Sequence, residues 1–384
     1  MLQYAEGLDG QALMRRSNLR RALQLVFDNS GSETRAGIAR ETGLTAATAS
    51  SLVAELIAGR FIAEVGQAAS TGGKRATTLA IDRSHHLLLV VVLRFGDAHA
   101  ALIALDGTVV HEERLVYSPH DRDDEINALI QRIGQRFAAR LLAAAVQLPG
   151  ATDGSRVLQS VQLGWADLAL AEQLTEMLGV PTRLINDVDA EAIAEIIAEG
   201  SSRGRRLFLH LGTGIGASVT LDGELAPGPL ARVGEIGHVQ VVFGSDARRC
   251  RCGRHGCLES AASVPAMLGV DFTEGMDAAS LEGLADAADP ARLTAGAVAL
   301  GRVITMLTAM LDPVEVVLGG GASALGEEFI DRVRQQTQHP PTGTMAVPLR
   351  GATPDVPPHV GAAQIVLGSS LGVRWSAAQL GGVQ

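Results

Sequence analysis

The sequence has few of the features that mark secreted, membrane or disulfide-bonded proteins. Its 384 residues include three cysteines, and this small odd number argues against a disulfide framework and favours a reducing compartment. The longest apolar run covers residues 87–93, which is too short to span a bilayer, and the stretch MLQYAEGLDG lacks the basic and apolar regions of a secretion signal. We therefore expect a cytoplasmic protein without a membrane segment.

Lysine is almost absent, and charge is unevenly spread. Lys74 is the one lysine, and the net charge is −10. Residues 11–75 nevertheless hold nine arginines and lysines against five acidic residues, so this segment carries +4 and the rest of the chain −14. A basic segment on an acidic body is typical of a DNA-binding domain joined to a sensor or an enzyme. The length predicts two or three domains.

The basic segment has the pattern of a winged helix-turn-helix. Apolar residues at helical spacing predict a helix over 17–29 with Ser17 as its N-cap. A second helix follows, capped by Ser32 or Thr34 and ended by Gly43, which can adopt the left-handed conformation. Two short helices joined by a tight turn, with the strands FIAEVG and ATTLAID after them, predict a helix-turn-helix and a β-wing.

The third helix, LTAATASSLVAELIAG, is the predicted recognition helix. Its periodicity turns Ala49, Leu52, Val53 and Leu56 inward and small side chains outward. The helix can therefore lie close to the bases, but it has no long side chain that could form two hydrogen bonds to one base. Basic residues at the wing can reach phosphates or a minor groove. The predicted DNA contacts are Arg35, Thr45, Ala47, Thr48, Ser50, Ser51, Lys74 and Arg75. A helical-hairpin interaction module is the alternative, which the caps, the turn and the basic wing together disfavour.

From His85 onward the pattern changes to alternating strands and helices. HLLLVVVLRF is typical of a buried strand, AALIALDGTVVHEERLVY of a hairpin and INALIQRIGQRFAARL of an amphipathic helix. The strands LAAAVQLPG and TRLIND precede candidate functional loops, and the glycine turns GTGIG and LGGGA follow later strands. This pattern predicts an α/β protein with two lobes. We expect a winged helix-turn-helix domain at 1–82, a first lobe at 83–199 and a second lobe at 200–384.

All three cysteines lie within eight residues, at the spacing C-x-C-x4-C. Gly253 and Gly256 permit the tight turns that would direct three sulfurs to one point. Thiols this close in the cytoplasm form a redox set or bind a metal. A nearby histidine completes a closed Cys3His set, which is typical of structural zinc, and His255 inside the cysteine loop is the rival nitrogen. The predicted ligands are His238, Cys250, Cys252 and Cys257.

These residues together resemble a known motif. GEIGHVQV…CRCGRHGCLE is similar to the zinc motif of the ROK family (repressors, open reading frames and sugar kinases), G-E-x-G-H followed by C-x-C-G-x-x-G-C-x-E. The resemblance extends over nearly the whole chain, because the winged segment is similar to that of ROK transcriptional repressors, whereas ROK kinases lack it. It implies a two-lobed actin-like or hexokinase-like (ribonuclease H-like) ATPase fold, a structural zinc ion at 238–257 and a homodimer or tetramer.

The resemblance also implies a sugar site. INDVDAEA resembles the family's N-D-x-N run, and the aspartate of that run is the general base in kinase relatives. Carboxylates, an amide and an imidazole can bracket the hydroxyls of a sugar. Asp189 stands where relatives commonly carry asparagine, and Gln162 where sugar-binding relatives often carry it, so the identity of the sugar stays open. The implied sugar-binding residues are Asn186, Asp187, Glu235, His238 and Glu259.

The loop at 93–99, LRFGDAH, departs from the kinase pattern D-x-G-x-T. With Gly96 on the motif's glycine, Arg94 stands at the aspartate position and Ala98 at the threonine position, which removes a metal-facing carboxylate. We therefore interpret the chain as a non-enzymatic regulator. We expect it to bind a two-fold operator and to repress carbohydrate-utilisation genes until a monosaccharide binds. The alternatives are a sugar kinase with a fused DNA-binding head and a regulator with a vestigial sugar site.

Overall fold

A computed structural model describes residues 10–67, 75–118, 121–200, 203–226, 228, 234–270, 288–322, 325–338, 346–354 and 356–380. The chain divides into two compact units. The first combines Met1–Ile185 with Pro357–Gln384, and the second is Asn186–Val356. The domain boundaries expected after residues 82 and 199 stay a prediction.

The first unit begins with three helices and a small sheet. The helices are α1 (Gly10–Asp28), α2 (Arg35–Thr42) and α3 (Ala46–Ala58). The strands β1 (Glu33–Thr34), β2 (Ile62–Gln67) and β3 (Thr77–Ile81) pair antiparallel in the order β1-β3-β2. This is the order of elements of a winged helix-turn-helix, as predicted.

Local signals set the ends of α2 and α3, but not the start of α1. The hydroxyl of Thr34 accepts a hydrogen bond from the backbone N–H of Gly37, and Gly43 ends α2 in the left-handed conformation, with φ 71°. The prediction that Ser17 caps α1 is wrong, because α1 begins at Gly10 and Ser17 lies within it. The upstream residues QALMRR are good helix formers and extend the helix by two turns.

The rest of the first unit is built on a five-stranded sheet. Its order is β11-β7-β4-β5-β6, and β4 pairs parallel with β7 and antiparallel with β5. These strands are β4 (Leu87–Arg94), β5 (Asp97–Ala104), β6 (Val109–Val116), β7 (Leu141–Leu148) and β11 (Thr182–Asn186). A smaller sheet holds β8 (Ala151–Thr152), β9 (Val157–Ser160) and β10 (Trp165–Leu168). The helices are α4 (Arg122–Phe137), α5 (Leu170–Leu178), α11 (His359–Leu371) and α12 (Ala377–Leu380).

A segment after α11 connects the winged helix-turn-helix segment to the five-stranded sheet within the first unit. Gln24 of α1 donates to the carbonyl of Arg374 at 3.0 Å and accepts from its N–H at 2.8 Å. Trp375 is buried, and its indole N–H donates to the carbonyl of Leu105 at 2.8 Å. Gln364 of α11 holds the same segment through Val373 and Trp375. Residues 373–375, which we term the C-terminal strap, therefore connect α1 to the end of β5.

The second unit contains the other five-stranded sheet, in the order β14-β13-β12-β15-β16. These strands are β12 (Arg205–Leu211), β13 (Ile215–Leu221), β14 (Glu224–Leu225), β15 (Glu315–Gly320) and β16 (Leu349–Gly351). The helices are α6 (Asp187–Glu199), α7 (Leu258–Ala262), α8 (Val264–Leu268), α9 (Pro290–Leu311) and α10 (Gly326–Thr337). β12 and β13 form an antiparallel hairpin, whereas β12 and β15 are parallel.

Among the described residues, α9 is the one helix long and apolar enough to cross a membrane. Its residues Ala297, Leu300, Val303 and Ile304 are buried in the hydrophobic core of the second unit. A helix whose apolar side lies in the core of its own unit needs no bilayer to cover that side.

Candidate metal and sugar site

The four predicted metal ligands come together in the second unit. One ring nitrogen of His238 and the Sγ atoms of Cys250, Cys252 and Cys257 all lie within 4.8 Å of one another. His238 Nδ1 is 3.6 Å from Cys250 Sγ, and the sulfurs of Cys252 and Cys257 are 3.7 Å apart. A tetrahedral zinc ion with ordinary bond lengths needs about 3.6 Å between nitrogen and sulfur and about 3.8 Å between two sulfurs. The cluster therefore fits a metal of this size.

Glycine turns position the cysteines. Gly256 has φ 73°, and a Cβ there would lie 1.8 Å from the carbonyl oxygen of Val242, so no other residue fits without a shift of the backbone. The N–H of Cys250 bonds the carbonyl of Arg254 at 2.7 Å, which closes the turn that carries Cys252. His255 lies in a bridge with Arg249, and it is not part of the cluster.

Glu259 lies beside the cluster at the start of α7. It is 7 % exposed, and Arg251 holds it through two bonds, Nε to Oε1 at 2.8 Å and one terminal guanidinium nitrogen to Oε2 at 3.0 Å. A Cβ on Gly214, in the turn between β12 and β13, would lie 3.1 Å from Glu259 Oε2. Because each carboxylate oxygen has a second lone pair, Glu259 can still accept a ligand hydroxyl at this turn.

Asn186 and Asp187 stand at the junction of β11 and α6. The side-chain oxygen of Asn186 caps α6 by accepting from the N–H groups of Val188 and Asp189 at 2.9 and 3.1 Å. Burial raises the pKa of the Asp187 carboxyl to about 6, a shift that the neighbouring His210 opposes and Glu191 increases. A carboxyl that exchanges its proton near neutral pH suits contact with a sugar hydroxyl.

The other predicted sugar contacts lie in the same unit. Glu235 is exposed and precedes the short 3-10 turn that carries His238. Cys250 Sγ lies 3.9 Å from Glu259 Oε1, which places the metal cluster next to that carboxylate. Asp189, which stands where relatives carry asparagine, accepts a hydrogen bond from the hydroxyl of Ser218 at 2.6 Å.

Sequence reasoning missed a histidine–carboxylate pair at this site. His210, the second-last residue of β12, donates from Nδ1 to Glu191 Oε2 of α6 at 2.7 Å. A Cβ on Gly212 would lie 2.5 Å from His210 Nε2, so the imidazole packs against the glycine turn. The signal was in the sequence, as a histidine two residues before GTGIG and an acidic residue one helical turn after Asp187.

The loop that departs from the kinase pattern lies in the first unit and joins β4 to β5. Gly96 has φ 75°, and its carbonyl accepts from the N–H of Tyr117 at 3.0 Å. Asp97, the acidic residue nearest to the motif position, is paired with Arg114 at 2.5 Å. The loop is therefore a tight β-turn whose acidic group is already neutralised by an arginine.

The predicted recognition helix has the expected faces. Ala49, Leu52, Val53 and Leu56 are buried, as predicted, whereas Ala47, Ser50 and Ser51 are exposed and Thr48 is half-buried. Thr45 caps the helix by accepting from the N–H of Thr48 at 3.2 Å. Arg35 forms an ion pair with Glu64 of β2, and Arg75 is exposed. Lys74 lies outside the described residues. The roles of these residues in DNA contact stay predictions.

The comparison with protein families identifies the chain. A model of the ROK family matches residues 92–367, and the chain belongs to this family. A putative xylose repressor from Caldicellulosiruptor sp. strain Rt8B.4 is 26 % identical, over 85 % of this chain and 89 % of that protein. The DNA-binding transcriptional repressor Mlc of Escherichia coli K12 is 27 % identical, over 82 % of this chain and 84 % of its own length.

Solved structures confirm the predicted fold class. A ROK family transcriptional regulator, described as a homologue of E. coli Mlc, aligns over 96 % of this chain and 99 % of its own, with a TM-score of 0.74 and 22 % identity. The ROK hexokinase of Thermus thermophilus covers 97 % of its own chain but 75 % of this one, with a TM-score of 0.57 and 24 % identity. The chain thus combines the fold shared with ROK kinases and a winged helix-turn-helix.

Proposed function

We propose that this protein is a sugar-responsive transcriptional repressor, which binds operator DNA through α2 and α3 and is released by a monosaccharide. One observation carries the proposal. Proteins named as repressors match this chain over 85 % of its length, whereas the kinase fold leaves a quarter of the chain without a counterpart. That difference is of the size of the winged helix-turn-helix, a fold that lays a helix in the major groove.

The sugar site of this proposal surrounds the turn between β12 and β13. Glu259 lies against the Gly214 end of that turn. His210 packs against the Gly212 end of the same turn and interacts electrostatically with Asp187. The cluster of His238 and the cysteines lies beside Glu259. Carboxylates and an imidazole around one glycine turn are suited to several hydroxyls of one sugar.

We further propose that the cluster holds a structural zinc ion. The ion would be held by His238, Cys250, Cys252 and Cys257, a closed set without an open position for catalysis. Zinc bound at Nδ1 would fix the plane of the His238 ring and leave Nε2 for a ligand. Cys252→Ser should then release the metal and weaken the sugar response. One metal ion per chain in the purified variant, measured by inductively coupled plasma mass spectrometry, would contradict the ligand assignment.

Fluorescence anisotropy on DNA tests the main proposal. Full-length, zinc-replete protein is titrated onto DNA from upstream of its own gene, with and without a panel of common monosaccharides. We expect binding that one sugar weakens, and we expect Glu235→Ala to bind DNA but not to respond. Binding that no sugar changes would favour the vestigial site, and retained induction in Glu235→Ala would remove that residue from the site.

A sugar kinase is the second candidate, because the GTGIG turn and Asp187 are both in place. Against it, the loop at 93–99 carries Arg94 where a metal-facing aspartate is needed. Sugar-dependent release of ADP, measured in a coupled assay, separates the two candidates. We expect no turnover above the rate without sugar.

We place the protein in the cytoplasm, where operator DNA is found, and propose that it acts as a homodimer or tetramer. A dimer with two winged heads would read two half-sites separated by whole turns of the DNA helix. Mass photometry on and off the operator measures the number of chains bound. A monomer on DNA would contradict this part of the proposal.

A further inference from the structure

Two glycine turns lie side by side at the carboxyl ends of β12 and β15, in the five-stranded sheet of the second unit. β12 and β15 run parallel with Leu211 opposite Gly320, so the turn at 212–214 and the glycines at 319–321 lie at the ends of neighbouring strands. The N–H of Gly321 donates to the carbonyl of Leu211 at 2.5 Å, which joins the turns. Glycine turns at the carboxyl ends of parallel strands let backbone N–H groups approach an anion, and phosphate-binding loops use this arrangement.

The imidazole of His210 lies against both turns. A Cβ on Gly212 would be 2.5 Å from Nε2, and a Cβ on Gly320 would be 2.7 Å from Nδ1 and from Cε1. The ring therefore takes up the space that the two missing Cβ atoms leave open. An anion placed against the Cα atoms of Gly212 and Gly320 would need the same space.

Glu191 holds the ring in place and adds negative charge. His210 Nδ1 donates to Glu191 Oε2 at 2.7 Å, and the side chains are 24 % and 31 % exposed. Asp187 lies one helical turn before Glu191 and interacts electrostatically with both residues. Two carboxylates at this edge repel an incoming phosphate, whereas they accept hydrogen bonds from neutral hydroxyls.

We propose that the His210–Glu191 pair occupies the anion position of the two glycine turns, so that the site takes an unphosphorylated sugar and rejects sugar phosphates and nucleotides. The sugar part of this inference rests on the proposed function. The occupied turns are a property of the chain alone, and they are tested without any sugar.

Isothermal titration calorimetry of the full-length protein makes that test. The probes are tripolyphosphate, ATP, and glucose and N-acetylglucosamine each with its 6-phosphate. We expect no saturable binding of any phosphorylated probe to the wild type. The double variant His210→Ala/Glu191→Ala opens the turns and removes one charge, so we expect it to bind tripolyphosphate at least about tenfold more tightly.

The chain offers a matched control. His111 and Glu113 form a similar pair at 2.8 Å on β6 of the first unit, with side chains 24 % and 26 % exposed. His111→Ala/Glu113→Ala changes the same groups, and it should not gain binding of tripolyphosphate. An equal gain in this control would trace the effect to net charge and overturn the proposal.

The remaining outcomes are as follows. Binding of a phosphorylated probe to the wild type, as tight as to the double variant, overturns the proposal. A folded double variant that gains nothing also overturns it. If the double variant does not fold, Glu191→Gln keeps the packing, and a gain by this variant supports the proposal while no gain overturns it. If no monosaccharide of the anisotropy panel has an effect, the sugar-responsive function fails, and the tripolyphosphate result still decides this inference.

Discussion

Replacing Asp187 by asparagine should strengthen the fold and abolish the sugar response. Burial raises the pKa of this carboxyl from 3.8 to about 6, so the folded protein holds the proton more tightly than the unfolded chain does. Above pH 6 the carboxyl is ionised in both states, and the folded state is then less stable by about 3 kcal/mol than it would be with a neutral group. Below pH 3.8 the effect is absent, because both states are protonated.

Asparagine has the same shape and is neutral at every pH. Its side-chain oxygen can keep the hydrogen bond that Asp187 accepts from the N–H of Val188 at 3.0 Å. Asp187→Asn should therefore gain up to about 3 kcal/mol at pH 8 and about half of that at pH 5. The DNA complex of this variant should no longer respond to the sugar, because the amide offers one acceptor oxygen where the carboxylate offers two to the sugar hydroxyls.

Urea unfolding followed by circular dichroism at pH 8 and pH 5 measures the stability, and DNA anisotropy measures the response. Asp246→Asn makes the same change at an exposed position and should stay within about 0.5 kcal/mol of the wild type. An Asp187→Asn variant that is no more stable at pH 8 would refute the reasoning. So would an advantage that is equal at the two pH values, because the effect must follow the titration of the carboxyl.

Three further predictions concern other parts of the chain. Trp375→Ala should cost about 3–5 kcal/mol in urea unfolding, since a buried indole is lost, and a cost below that of Trp375→Phe would contradict its burial. Gly256→Ala should lower the metal content, because its Cβ collides with Val242, whereas Gly253→Ala meets no atom within 4 Å and should retain more metal. Arg75→Ala should weaken DNA binding and reduce the salt slope by about one, and an unchanged slope would remove Arg75 from the interface.

Most of the fold could be predicted because its signals are local. The seven-residue apolar run of β4 and the left-handed glycine after α2 act over a few neighbouring residues. β1 could not be predicted, because it has two residues and exists only through pairing with β3, over forty positions later. The composition of QALMRR signalled the early start of α1, but Ser17 offered a more conspicuous cap.

The cluster of His238 and the three cysteines could be predicted because these residues have a characteristic spacing in the sequence. The His210–Glu191 pair has no such spacing, since it forms only when α6 packs on the sheet of the second unit. The bidentate bond from Arg251 to Glu259 has no sequence signal for a related reason. It forms only when the start of α7 brings Glu259 to the cysteine loop.

The C-terminal strap has a consequence for protein synthesis. Gln24 forms hydrogen bonds with Arg374, which is synthesised 350 residues later. The carbonyl of Leu105 likewise accepts its hydrogen bond from Trp375. A ribosome adds roughly 5–20 residues per second, so the winged head lacks these bonds for tens of seconds after it emerges. A prematurely terminated chain never acquires them. Completion of the polypeptide is therefore what supplies these bonds to α1.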